Sequence, residues 1–338
     1  EEMLNDLAER IQQMQDKARA IAQKRNPDIT IKRGFHAKGT GLRAKFHVYP
    51  DLPRELRVGL FQPAAEYDAV VRFSNARGEV LSDLAKDQRG IAIRVKAIQD
   101  SILSLDDDVN IQDFLMTNTP ISFARNPVQF IEVGEILLEG TAKVPGKLIQ
   151  KYGFAEARRI MSVFLAPIVS FNPLQMNQYW SRTSFQFGET SMRFLIRPSK
   201  GSKTLSSTQQ FLGVLRSVFQ GVPQKDIYMR EKLLEALKAG DLRFDFCVQL
   251  FVDDKKTPIE DAYIEWIESD SPPIPVATLI IPKQDDDEKF QKDMGHVAFN
   301  PWHTKDHTPL GLINLARQRV YISSAIHRGA YDDRESRE

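Results

Sequence analysis

Leu242-Arg243-Phe244-Asp245-Phe246-Cys247-Val248-Gln249-Leu250-Phe251-Val252 is the stretch that most constrains the fold. Leu242, Phe244, Phe246, Val248, Leu250 and Val252 alternate with Arg243, Asp245, Cys247 and Gln249. A period of two marks a strand with one face in the core and one face out of it. Shorter β-branched runs lie elsewhere, at Ala69-Val70-Val71-Arg72-Phe73, Gly90-Ile91-Ala92-Ile93-Arg94-Val95, Ser191–Arg197 and Ala277–Ile281. Turn residues bound them. The spacing predicts helices over 127–139, 154–165, 207–219, 227–239 and 308–328, the last with Pro309 in its first turn. Strands separated by long excursions do not give a regular βαβ rhythm, so a doubly wound sheet is not expected.

Residues 1–25 carry a different period. Leu4, Leu7, Ile11, Met14, Ala18 and Ile21 are spaced three and four apart, which puts them on one helix face. The reading is a helix docked on the main body, with a homo-oligomer contact through the same face as the alternative. Asn26-Pro27 ends it. The expected organisation is an N-terminal helix over 1–27, one domain over 28–330 and a short tail over 331–338. The charged stretch 284–293 reads as a solvated loop or helix end.

Composition excludes several classes. The 338 residues are 42% hydrophobic and 27% charged with a net charge of +1, so no global basic field points to nucleic acid. The single cysteine, Cys247, permits neither an internal disulfide nor a thiolate metal cluster. No apolar run reaches the roughly 18–20 residues that span a bilayer. These features suit a cytoplasmic protein, or a periplasmic one if a leader preceded residue 1. There is no P-loop, His-Glu-x-x-His, Gly-x-Ser-x-Gly or Cys-x-x-Cys. Among the six histidines, His296, His303, His307 and His327 lack a compact zinc spacing.

Three segments carry unusual chemistry. The first is Arg33-Gly34-Phe35-His36-Ala37-Lys38-Gly39-Thr40-Gly41, a histidine in a Gly-rich turn. The second is Val71-Arg72-Phe73-Ser74-Asn75-Ala76, with Asp87-Gln88-Arg89-Gly90 downstream. The third is Arg317-Gln318-Arg319-Val320-Tyr321, with Arg328 seven residues on. Arg317 and Tyr321 are i and i+4 and share a helix face with Arg328. A guanidinium beside a phenol favours its anion, a hard ligand suited to ferric iron.

Read together with Asp113–Pro120 and Phe299-Asn300-Pro301, these segments resemble haem catalases, and most closely the small catalase-related haem proteins, from about residue 30 to 328. The resemblance implies an α+β fold, a catalase-like antiparallel β-barrel with surrounding helices and a buried haem b (iron protoporphyrin IX). It implies that Tyr321 ligates the iron, as in catalase, and that Arg317 balances its charge. His36 would be the distal acid-base residue and Ser74 its orienting partner. Arg33, Arg72 and Arg328 would pair with the haem propionates. Asn118 would face the bound peroxide, although Thr117 stands where the first residue of the usual Asn-Asn pair falls. Phe123 and Phe130 would line the pocket. Ser122 stands where a pocket Phe is usual.

The activity implied is that of a haem peroxidase or weak catalase acting on hydrogen peroxide or organic peroxides with a small reductant. A fatty-acid hydroperoxide-rearranging or cleaving enzyme, of the allene oxide synthase or hydroperoxide lyase kind, is the second reading. Those resemble the chain at the proximal end but carry Thr before the distal histidine, where this chain has Phe35. A non-enzymatic haem binder or sensor is a third, and has no need of a distal His-Ser pair.

Overall fold

Alternating apolar strands must bury one face each, and here they do so by closing on one another. The computed structural model describes residues 2–25, 27–28, 33–76, 78, 83, 87–96, 111–165, 173–200, 228–327 and 329. Strands β1 (Gly39–Val48), β2 (Glu66–Asn75), β3 (Arg89–Lys96), β4 (Ile111–Thr117), β5 (Tyr179–Trp180), β6 (Phe185–Phe187), β7 (Thr190–Pro198), β8 (Leu242–Leu250) and β9 (Ile274–Ile281) form one antiparallel sheet. Its order is β5-β4-β3-β2-β1-β9-β8-β7-β6. The short β5 also pairs with β7, which closes eight strands into a barrel and leaves β6 as a flap on β7. The fold is therefore the expected α+β barrel with helices outside it.

The barrel interior is aromatic. Phe46, Phe61, Phe73, Phe114, Phe194, Phe244 and Phe246 are all buried. Phe246 meets Phe114 at 4.7 Å and Phe46 at 5.2 Å between centroids. Each such ring contributes about 1.5–3 kcal/mol by leaving water, and edge and tilted contacts add to that. In β8, Phe244, Phe246 and Val248 point inward as the alternation predicts. The strand stops at Leu250, short of Val252, because Thr257 Oγ1 accepts from the amides of Val252 and Asp253 and turns the chain.

Among the described residues, six helices surround the barrel: α1 (Glu2–Arg25), α2 (Pro127–Leu138), α3 (Val144–Leu165), α4 (Tyr228–Ala239), α5 (Glu288–His296) and α6 (Leu312–His327). Asn126 caps α2 by accepting from the Gln129 amide. Helix α3 begins ten residues before the predicted 154, with a break at Gly153 where φ is +79°. The predicted helix at 207–219 and the tail at 331–338 lie outside the described residues. None of the described helices is long and apolar enough to cross a membrane.

Two sequence expectations change. Pro309 is not in the first turn of the last helix. It bridges to Phe185, Gly311 turns with φ +86°, and the helix starts at Leu312. The 284–293 stretch is more than a solvated end. Asp287 accepts from the Phe290 amide to start α5, which buries Phe290 and Met294.

Helix α1 spends its apolar stripe inside the chain. Leu7, Ile11, Met14, Ala18 and Ala22 are buried, and Ala22 replaces the expected Ile21. A 3.5-residue repeat drifts around a 3.6-residue helix, so the stripe moves by one position over this length. The partners are α2, where Gly134 lets Met14 come close and Glu135 pairs with Arg10, and α6, where Ser323 and Ser324 donate to Gln12 and Gln15.

Candidate active site

Directly paired residues of an antiparallel sheet share a face, and Gly39, Ser74, Gly90 and Thr117 are paired in one row across β1 to β4. The adjacent inward residues Phe73, Ile91 and Met116 fill the barrel. The row therefore faces outward, toward the helices. The segment bearing His36 lies over it. The His36 amide donates to Ala76 O at 3.1 Å, and Asn75 exchanges backbone and side-chain hydrogen bonds with Lys38. Gly34 rests on Gln15 of α1, where a Cβ would come within 2.6 Å. Gly90 leaves room for the imidazole, since a Cβ there would sit 2.9 Å from Ser74 Oγ and 3.2 Å from the ring.

The imidazole is oriented and uncharged. His36 Nδ1 lies 2.6 Å from Asn75 O and 3.0 Å from Ser74 Oγ. A carbonyl cannot donate, so Nδ1 carries the proton and Nε2 keeps its lone pair. Burial first, and then the positive charges of Arg72, Arg182 and Arg33, push the pKa down to about 4 against the opposing Asn75 hydrogen bond. His36 also has φ +54°, a conformation uncommon for a residue with a side chain.

The arginines hold this geometry. Arg72 Nη2 donates to His36 O at 2.9 Å, and its guanidinium lies against Gly39, where a Cβ would be within 2.5 Å. Arg33 Nη2 donates to Gly295 O and Val297 O at the end of α5. On α6, Arg317 Nη1 donates to Thr183 Oγ1 and Asn314 Oδ1, both at 3.0 Å. Its Nη2 reaches Tyr321 OH at 3.4 Å, and its guanidinium lies 5.3 Å from the Tyr321 ring centre. Arg328 lies outside the described residues.

Asn118 uses its side-chain oxygen to accept from the Arg89 amide at 2.8 Å, extending the β3–β4 ladder, so its NH2 is the end left for a ligand. Thr117 Oγ1 turns to Thr119 at 3.4 Å. Ser122 Oγ accepts from the Ala124 amide; this hydroxyl serves a turn. Phe130, Phe35 and Val320 each pack on the α1 cluster, the last two preceding His36 and Tyr321 in the chain. Phe123 stacks on Phe130 at 5.1 Å and on Phe164 at 4.8 Å, one layer farther out.

Two features escaped the sequence reading. Arg182, with φ +60°, lies near enough to act electrostatically on His36, Arg317 and Tyr321. It sits two residues past β5, whose two-residue length carries no periodic signal. The second is a triad on the outer wall, built on a buried ion pair. Arg94 makes a two-toothed pair with Asp113, 2.8 Å at each contact, and donates to Ala298 O. His303 Nδ1 is 2.8 Å from the same carboxylate. This fastens the 298–303 segment to β3 and β4. His307 is a core residue between Phe61 and Phe187. Among the described residues no His, Cys, Asp and Glu cluster is arranged for a metal ion.

Residues 10–139 match the catalase family model. The fold is shared with solved catalases. A bacterial catalase superposes with a TM-score of 0.64 at 18% identity, over 88% of this chain and 57% of that one. Catalase A from Saccharomyces cerevisiae gives 0.65 at 16%, over 90% and 62%. A fungal catalase gives 0.66 at 16%, over 90% and 60%. The chain thus spans 57–62% of the length of these three enzymes. The matched family segment runs from α1 through the His36 turn to the end of α2, and the likeness in fold to solved catalases extends over about nine-tenths of the chain.

Proposed function

We propose that the chain is a haem-dependent peroxidase or weak catalase acting on hydrogen peroxide or small organic peroxides. The observation that carries this is the fixed tautomer of His36, a neutral imidazole with its basic Nε2 free, with Arg72, Arg182 and Arg33 as the charges acting on it. The residues present suit haem b. The two carboxylates of haem b need cations, and Arg33, Arg72 and Arg182 gather around His36. An oxygen ligand is available in Tyr321, whose hydroxyl lies on the Arg317 guanidinium.

In this reading Tyr321 would hold the iron through its phenolic oxygen and Arg317 would balance that charge. Arg72, Arg33 and Arg328 would hold the propionates, and Phe130 and Phe123 would supply apolar walls. Haem, when bound, supplies the redox chemistry that cleaves the peroxide O–O bond. His36 Nε2 takes the proton from one peroxide oxygen and returns it to the other, so that water or an alcohol departs. Ser74 and the Asn75 carbonyl keep Nδ1 protonated and the ring in place during both transfers. Asn118 offers its NH2 to the peroxide. Phe35 has no hydroxyl to restrain His36 and packs instead on the α1 cluster, which favours this reading over hydroperoxide rearrangement.

The test is to load the purified protein with haem and compare hydrogen peroxide, a small alkyl peroxide and a polyunsaturated fatty-acid hydroperoxide, with products identified. Reduction of the first two to water and alcohol is expected, with the two electrons supplied by an added small organic reductant or by a second hydrogen peroxide that leaves as dioxygen. Allene oxide or aldehyde from the third, with no reduction of the others, would overturn the proposal. The rate should be flat from pH 5 to 8, since His36 stays neutral there, and should fall as the pH drops through about 4.

A further inference from the structure

Arg182 is a cation with no described counter-ion. The chain leaves β5 through Ser181, whose Oγ donates to Thr183 O and accepts from the Phe194 amide. Arg182 follows with left-handed φ +60°, and Thr183 beyond it receives Arg317. This turn therefore brings the Arg182 and Arg317 guanidiniums within electrostatic reach of each other, with Tyr321 and His36 also within reach of Arg182. No carboxylate among the described residues pairs with Arg182; the groups acting on its charge are Arg317, which repels it, and Tyr321. Glu265 lines a narrow cavity with Arg182, Trp180 and Trp266, but its charged neighbour is Glu268. Burial draws the Arg182 pKa down to about 10, so it remains charged at neutral pH. A partly buried cation beside a like charge is costly unless an anion arrives, and a guanidinium fork suits a carboxylate.

We propose that Arg182 is a carboxylate-binding residue of the pocket, engaging an acid group that enters either with the haem or with the substrate. This rests on the haem reading above. The carboxylate is a porphyrin propionate in the first case and the acid end of a peroxide-bearing fatty acid in the second.

Two acid-and-ester pairs separate the sources. Haem b and its dimethyl ester are titrated into the haem-free protein, read by quenching of tryptophan fluorescence. Linoleate hydroperoxide and its methyl ester are compared by KM on the loaded protein. Wild type should prefer the acid in at least one pair. Arg182→Met should lower that preference by about 10- to 100-fold, the worth of a charged hydrogen-bonded contact. Loss in the first pair assigns the propionate, and loss in the second assigns the substrate. Arg182→Gln, neutral and polar, gives the same reading should the Met variant not fold. An unchanged preference in both pairs, or no preference in wild type, overturns the proposal. If wild type takes up neither porphyrin, the haem reading fails, and laurate against methyl laurate on the haem-free protein still decides whether Arg182 binds a carboxylate.

Discussion

Replacing His36 with alanine is expected to slow peroxide reduction by about 10²–10⁴-fold, the usual worth of a positioned acid-base group, while haem uptake is kept. The reason is local. Nδ1 is committed to Asn75 O and Ser74 Oγ, so Nε2 is the basic atom available to a peroxide. Stopped-flow mixing of the haem-loaded protein with hydrogen peroxide reads the change. Ser74→Ala should cost far less, because the Asn75 carbonyl still fixes the tautomer. Full activity in His36→Ala would remove the histidine from the chemistry and leave the haem-binder reading standing.

The second large effect is on stability. Asp113→Ala should destabilise the protein by about 3–5 kcal/mol, because it takes from the buried Arg94 guanidinium the carboxylate that it binds at two points. Both side chains are essentially inaccessible, at 1% and 0%. Burial alone would raise the Asp113 pKa, but Arg94 and His303 outweigh it and hold the carboxyl below its usual range. A carboxyl with a lowered folded pKa stabilises above its unfolded value near 3.8, and this support is lost as the pH falls through the folded value. Urea unfolding of the variant at pH 7 checks the magnitude. A change under about 1 kcal/mol would mean that the triad is already solvated. The double variant Arg94→Met with Asp113→Leu should recover much of the loss, since it removes the buried positive charge as well.

What was legible in the sequence follows from how locally each feature is specified. Phe244, Phe246 and Val248 announce a strand by themselves, because side-chain alternation is a property of the chain. The closure of the barrel is not local. It depends on Tyr179-Trp180, two residues that pair on both sides and show no period. His36, Ser74 and Arg72 were found as motif residues, and the structure brings them together at 3.0 and 2.9 Å. Arg317 and Tyr321 were placed on one face by helical spacing alone. Arg182 and the Arg94–Asp113–His303 triad were missed because their meaning lies in contacts between residues up to 209 positions apart. The start of α6 was misread because Pro309 suits a helix N-terminus in isolation, whereas here the proline is held by Phe185 across the chain.

The most direct test of the account is a haem titration of wild type and Tyr321→Phe, followed by absorption spectroscopy. The expected result is a ferric high-spin spectrum of an anionic oxygen ligand in wild type, and its loss in the variant with weaker uptake. The same spectrum and affinity in both proteins would contradict it, because the iron would then be held by another side chain.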